Sequence, residues 1–200
     1  MSEPDVTDHA GARFGMWLFL YSEIMLFTGL FILYAAYFRE HRLDFVRAGK
    51  ELSLFFGVAN TVILLVSSFF VAASITAIRQ ARKTLAIACL VGAMALGLLF
   101  LANKYVEWGH KIHLGIYPNS PHLLAGPPGE TMFYSLYYVI TGLHGIHIII
   151  GLTLLAISAI LLARGRIVAT NDAVLENCGL YWHLVDLIWI FIFPLFYLIL

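Results

Sequence analysis

An all-α fold, a polytopic membrane bundle of five transmembrane helices, is predicted by three observations on this 200-residue chain. The chain is 61% hydrophobic and only 12% charged, with a mean hydropathy of +0.87, whereas soluble domains are roughly half apolar and a quarter charged. Apolar runs of the ~20 residues that a helix needs to cross ~30 Å of hydrocarbon occur five times. Charged segments separate them: Arg39-Glu-His-Arg42 with Asp44, Arg47 and Lys50, then Arg79-Gln-Ala-Arg-Lys83, then Arg164-Gly-Arg166. Residues 1–200 are read as one membrane domain.

The first span, 14–38, follows an acidic leader (Glu3, Asp5, Asp8) and lacks the small-residue exit of a cleavable signal, so it reads as a permanent helix. The second, 52–78, carries Asn60, Ser67 and Ser68, residue types that serve helix packing. The third, 84–108, ends in Lys104, Glu107 and Trp108, which read as an interfacial anchor with a snorkelling lysine. Residues 109–130 hold Pro118, Pro121, Pro127 and Pro128 and are expected to form the long irregular loop, outside the hydrocarbon.

The fourth span, 131–163, would reach ~50 Å at ~1.5 Å per residue and must tilt or protrude. Its Gly142, Gly145 and Gly151, with Thr141 and Thr153, offer positions for close helix approach. The fifth span is 180–200. Cys89 falls in a span and Cys178 in a connecting segment, without metal-ligand spacing, so both are expected to be free thiols. The net charge is zero and no basic run is present, which argues against nucleic-acid binding. With the N-terminus cytoplasmic, the inner segments carry Arg13, Arg79, Arg82, Lys83, Arg164 and Arg166, and the outer ones Arg39, Arg42, Arg47, Lys50, Lys104 and Lys111. The two sets are equal, so charge does not orient the chain.

Two stretches place ionisable groups inside apolar spans, where each costs a few kcal/mol to insert: Tyr138-Val-Ile-Thr-Gly-Leu-His-Gly-Ile-His147 and Tyr181-Trp-His-Leu-Val-Asp-Leu-Ile-Trp189. His144 and His147, at i and i+3, share one helix side, expected to face protein. Three readings compete. Metal or haem ligation by His144, His147, His183, Asp186 and Glu23 is opposed by depth, since the expected span ends put His147 ~24 Å and His183 ~5 Å from one membrane face. A proton or ion path is suggested by Glu23 at ~13 Å and Asp186 at ~9 Å, which would put both near His183. The third and favoured reading is structural: each carboxylate pairs with a His, Tyr181, Trp182 or a backbone group and fixes helix register.

Five blocks in order, Gly15-Met-Trp-Leu-Phe-Leu-Tyr-Ser-Glu23, Asn60-Thr-Val-Ile-Leu-Leu-Val-Ser-Ser68, Glu107-Trp108, Thr141-Gly-Leu-His-Gly-Ile-His147 and the run from Glu176 through Tyr181-Trp-His-Leu-Val-Asp186 to Trp189, resemble subunit III of the haem-copper oxidases, the cytochrome c oxidase subunit 3 family. The resemblance covers nearly the whole chain. It implies a bacterial inner-membrane subunit without haem or copper of its own, those groups lying on partner subunits. Subunit I would be the principal partner, with subunit II, other small membrane subunits and phospholipid as further ones. It implies support of proton uptake, and a cytoplasmic N-terminus. Glu23, Glu107, His144, His147, Glu176, His183 and Asp186 carry over as structural, lipid-facing or interface residues, with no catalytic or metal-binding role.

Two departures from the family stand out. Larger members have seven helices, with a lipid-filled cleft between the first two and the other five, and this chain looks like the form without those two. Lys104 also stands where members often have Gln. The alternative reading is an accessory subunit of a quinol oxidase or a nitric oxide reductase. A membrane metalloenzyme and a helical scaffold of another complex are the rivals from other classes.

Overall fold

The computed structural model describes residues 6–169 and 172–198. The leader residues Glu3 and Asp5 and the expected last span residue Leu200 lie outside the described residues. Seven helices follow one another: α1 Val6–Glu40, α2 Arg42–Lys50, α3 Leu54–Arg79, α4 Lys83–His113, α5 Pro121–Leu124, α6 Pro128–Ala163 and α7 Ala173–Tyr197. Five of them, α1, α3, α4, α6 and α7, are long and apolar enough to cross a membrane.

The long helices alternate in direction, so the bundle has two ends. At the end where α1 starts, the Arg79 Nε donates to Asp172 at 2.7 Å. Lys83 Nζ there donates to the carbonyl of Ala163 at 2.9 Å, filling one of the acceptors that the last turn of α6 leaves open. At the other end Tyr34 on α1 donates to the carbonyl of Leu195 near the end of α7, and Tyr134 on α6 donates to Glu51 at 2.8 Å.

Helices α2 and α5 occupy segments expected to be connections. In α2, Phe45 and Ala48 recur at i and i+3 and are buried, Phe45 against the rings of Tyr34, Phe38 and Phe133. This amphipathic turn docks the otherwise charged segment on the bundle end. In α5 the Ser120 hydroxyl accepts from the Leu123 N–H at 3.2 Å, and Pro121 takes the first helical position. Helix α6 is 36 residues long. It accommodates that length by protruding, its first turns lying beside α2, where Gly129 meets His41 and Asp44.

The core is centred on α7, whose Trp182 and Trp189 are almost completely buried. Trp182 lies in a notch between two glycines on neighbouring helices. A Cβ at Gly97 of α4 would stand 2.8 Å from its Cη2, and one at Gly151 of α6 would stand 2.7 Å from its Cε3. Neither position has room for a side chain, which is how small residues let membrane helices approach. Of the other small residues expected to serve this purpose on α6, Gly145 has open space beside it and Thr153 is exposed. The buried stripe runs through His144, His147, Ile148, Gly151, Leu155 and Ser158, and the 3.6-residue period puts 145 and 153 off it.

Helix α1 stands apart. Its most apolar stretch is 11% buried, against 50% for α7. Among the described residues it touches only α2, α6 and α7 and leaves Phe14, Trp17, Leu18, Tyr21, Met25 and Ile32 exposed.

Candidate functional site

The buried polar side chains gather in separate groups, and the most complete was not anticipated. Lys104 on α4 is 7% exposed and turns inward. Its ammonium donates to Glu107 Oε2 at 2.8 Å, to the Tyr137 hydroxyl at 2.9 Å and to the Tyr197 hydroxyl at 3.0 Å. Both hydroxyls then donate to Glu107 Oε1, at 2.9 Å from Tyr137 and 2.6 Å from Tyr197. Three donors of the lysine and both oxygens of the carboxylate are thus occupied, and the rings of Tyr137, Trp189 and Tyr197 surround the charge at 4.8–5.6 Å.

This corrects the reading of Lys104 and Glu107 as an interfacial anchor with a snorkelling lysine. Helix α4 continues to His113, well past Trp108, so Lys104 lies ~14 Å inside the helix end. Its nearest compensating groups are within the bundle. The i,i+3 spacing of Lys104 and Glu107 is the only part of the network visible in sequence. Tyr137 and Tyr197 join it from distant helices.

The second group ties α1 to α6. His147 Nε2 and Glu23 Oε2 are 2.8 Å apart, with side-chain exposures of 9% and 16%. His147 Nδ1 lies 2.8 Å from the Leu143 carbonyl. A carbonyl only accepts, so Nδ1 carries a hydrogen.

Helix α1 packs along α7 with Phe19 against Tyr181 and Phe31 against Phe191, so Glu23 stands near the level of Asp186 as expected, but its partner is His147 and not His183. Helix α1 begins at Val6, well before Phe14, which puts Glu23 ~26 Å from its start. His147 is ~24 Å from the end of α6, so the two share a level. Helix α7 likewise begins at Ala173, so Cys178 is helical, not in a connection. By the same start, His183 lies ~15 Å and Asp186 ~20 Å inside. His183 Nδ1 hydrogen-bonds to the Ser68 hydroxyl of α3. Asp186 is 5% exposed, and its Oδ1 has no partner among the described residues.

His144 is fully buried between the rings of Phe100 and Trp189, at centroid distances of 5.6 and 5.2 Å. Neither ring nitrogen has a partner among the described residues. Glu176 is not a mid-membrane group. It lies 3.8 Å from Arg79 at the bundle end, beside the Arg79–Asp172 pair. Among the described residues no three His, Cys, Asp or Glu side chains converge as a metal site would require.

The seven polar residues singled out from sequence are therefore not one constellation. Glu23 meets His147, Glu107 meets Lys104 and two tyrosines, His183 meets Ser68, and Glu176 meets Arg79. A family model described as cytochrome c oxidase subunit III matches residues 3–199. The chain belongs to the cytochrome c oxidase subunit III family. Similar proteins include a cytochrome c oxidase subunit 3 from Synechocystis sp., 34% identical over 93% of this chain and 75% of the relative. A cytochrome bo(3) ubiquinol oxidase subunit 3 from Pseudomonas aeruginosa is 30% identical over 92% of this chain and 83% of its own length. A heme-copper oxidase subunit I+III from Aeropyrum pernix is 28% identical over 94% of this chain, which spans 22% of that longer protein. The subunit III family thus has both cytochrome c oxidase and quinol oxidase relatives of this chain, which is an integral membrane protein with five spanning helices.

Proposed function

We propose that this chain is the non-catalytic subunit III of a bacterial haem-copper terminal oxidase, an enzyme that reduces O2 to water and pumps protons. Its part is to stabilise subunit I, support proton uptake and hold phospholipid. Haem and copper would reside on partner subunits, with subunit II and other small membrane subunits completing the complex in the cytoplasmic membrane, the N-terminus of this chain inside. The observation that carries the reading is how the buried ionisable groups are used. Lys104, Glu107, Glu23 and His147 close on one another and on tyrosines, as side chains that hold helices in register do.

Subunit I is the favoured neighbour because the Aeropyrum relative is named as subunits I and III together. The exposed apolar face of α1 offers a surface that such a neighbour could cover. Glu23, Glu107, His144, His147, Glu176, His183 and Asp186 then serve as structural, lipid or interface residues.

The test is purification of the tagged chain in mild detergent. A large polypeptide bearing haem and copper should accompany it, and Glu23→Gln should slow proton uptake by that complex while leaving the haem spectra unchanged. Stoichiometric iron or copper, or a Soret band, on the isolated chain would overturn the reading in favour of a metalloenzyme. A second reading, service in a quinol oxidase, is favoured by the Pseudomonas relative. Turnover of the complex with ubiquinol, and not with reduced cytochrome c, would select it.

A further inference from the structure

A cleft of about 350 Å³ opens between the start of α3 and the end of α4, lined among others by Glu51, Phe56, Val106, Glu107, His110 and Lys111. Its size falls in the range of small-molecule sites, about 300–1,000 Å³. Lys111 is only 6% exposed, and its ammonium lies 5.4 Å from the centroid of the Tyr134 ring. Among the described residues no oxygen accepts any of its three N–H groups. The contrast with Lys104, seven residues earlier, is direct, since all three donors of Lys104 are filled. The Lys111 nitrogen is not one of the fully enclosed unpartnered atoms and opens on the cleft, so whatever occupies the cleft supplies its acceptors.

The surrounding charges narrow the ligand. Both Glu51 and Glu107 act electrostatically on Lys111, yet neither reaches it within ion-pair distance. Glu107 has both oxygens committed to its own network. Glu51 is exposed and uses Oε2 for Tyr134, leaving Oε1 available. Lys111 balances Glu51, and Lys104 balances Glu107, so these four side chains carry no net charge between them. A bare anion would bring unmatched negative charge beside two carboxylates, and a bare cation would leave Lys111 without an acceptor. A zwitterion with an oxyanion and a hydrogen-bearing ammonium satisfies both groups. His110 and Lys111 sit in the last turn of α4 and Glu51 just before α3, the ends of spanning helices, where head groups meet hydrocarbon.

We propose that this cleft holds the head group of a phospholipid bearing a phosphate and a primary ammonium, as in phosphatidylethanolamine. A phosphate oxygen accepts from Lys111, the ammonium donates to Glu51, and the glycerol end lies against Phe56 and Val106. This deepens the lipid-holding part of the function proposed above, and names a site for it.

The full chain in vesicles containing equal parts of phosphatidylethanolamine, phosphatidylcholine and phosphatidylglycerol, then released for native mass spectrometry, provides the test. The wild type should retain phosphatidylethanolamine several-fold over the other two. Lys111→Met should lose one such lipid, and Lys111→Arg should keep it. Glu51→Gln should shift retention toward phosphatidylglycerol by removing the carboxylate that opposes an anion. Matching helical circular dichroism in all variants keeps the comparison on the site, and Glu51→Gln decides alone if Lys111→Met fails to fold. Equal retention of the three lipids by the wild type, or identical retention by wild type and both Lys111→Met and Glu51→Gln, overturns this site. Protection against thermal unfolding by inorganic phosphate in wild type but not in Lys111→Met assigns it to a soluble anion and also overturns the lipid. If the wild type retains no phospholipid at all, the broader lipid-holding reading falls with it.

Discussion

Two polar side-chain contacts in this bundle do different structural work. The network of Lys104, Glu107, Tyr137 and Tyr197 joins α4, α6 and α7, three helices already interlocked around Trp182. Glu23 and His147 join α6 to α1, a helix with most of its spanning surface exposed. The first contact has every charged donor and acceptor matched within a packed core. The second is a tether on an element that has little else to hold it. The difference teaches that a polar pair in a membrane span fixes register only as firmly as the packing around it, and that α1 has the least of that packing from this chain.

The sharpest way to break this comparison is Lys104→Met, which leaves Glu107 buried and uncompensated. It should cost about 3–5 kcal/mol, the range for removing one partner of a buried pair, seen as a large fall in the thermal unfolding midpoint in detergent. The double replacement Lys104→Met with Glu107→Leu should recover most of that loss, because apolar substitution of both partners removes the stranded charge. If the double variant is as unstable as the single one, the network contributes more than charge compensation.

Gly151→Val comes next. It forces a side chain into the plane of Trp182 and should cost about 1–3 kcal/mol by overpacking, with tryptophan fluorescence reporting the displaced ring. A wild-type midpoint and spectrum would show that the notch is not tight.

Glu23→Gln should cost about 1 kcal/mol, the net size of one hydrogen bond, since the amide keeps a group that can bond to Nε2. The effect should concentrate in α1, as faster backbone hydrogen exchange of that helix with α3, α4 and α7 unchanged. Exchange rising equally in all helices would erase the distinction between tether and core. Smallest of all is Arg79→Ala, which removes an exposed pair with Asp172. It should leave the midpoint unchanged at physiological salt, where such pairs are screened.

Legibility followed the physical origin of each signal. The five spans were readable because bilayer thickness demands a long apolar run for each crossing. That His144 and His147 turn away from lipid was readable because charge and imidazole are costly in hydrocarbon and i,i+3 residues share a side. The pairing partners were not. Helix starts at Val6 and Ala173 lie earlier than apolar runs suggest, because polar residues continue a helix beyond the hydrocarbon at little cost. Each residue of misplaced start shifts depth by ~1.5 Å, and depth alone does not say which side of a helix a group faces, so the pairing of Glu23 with His147 could not be read.

Sequence by itself determined that this chain is a five-span membrane subunit of the cytochrome c oxidase subunit III family, since hydropathy and local motifs are properties of contiguous residues. Only the tertiary structure decided which charge meets which. It turned Lys104 inward, brought Tyr197 ninety residues along the chain to Glu107, seated Trp182 between two distant glycines and left Lys111 without an acceptor among the described residues. Those outcomes depend on the relative depth and rotation of separate helices, which packing sets and which no single stretch of residues encodes.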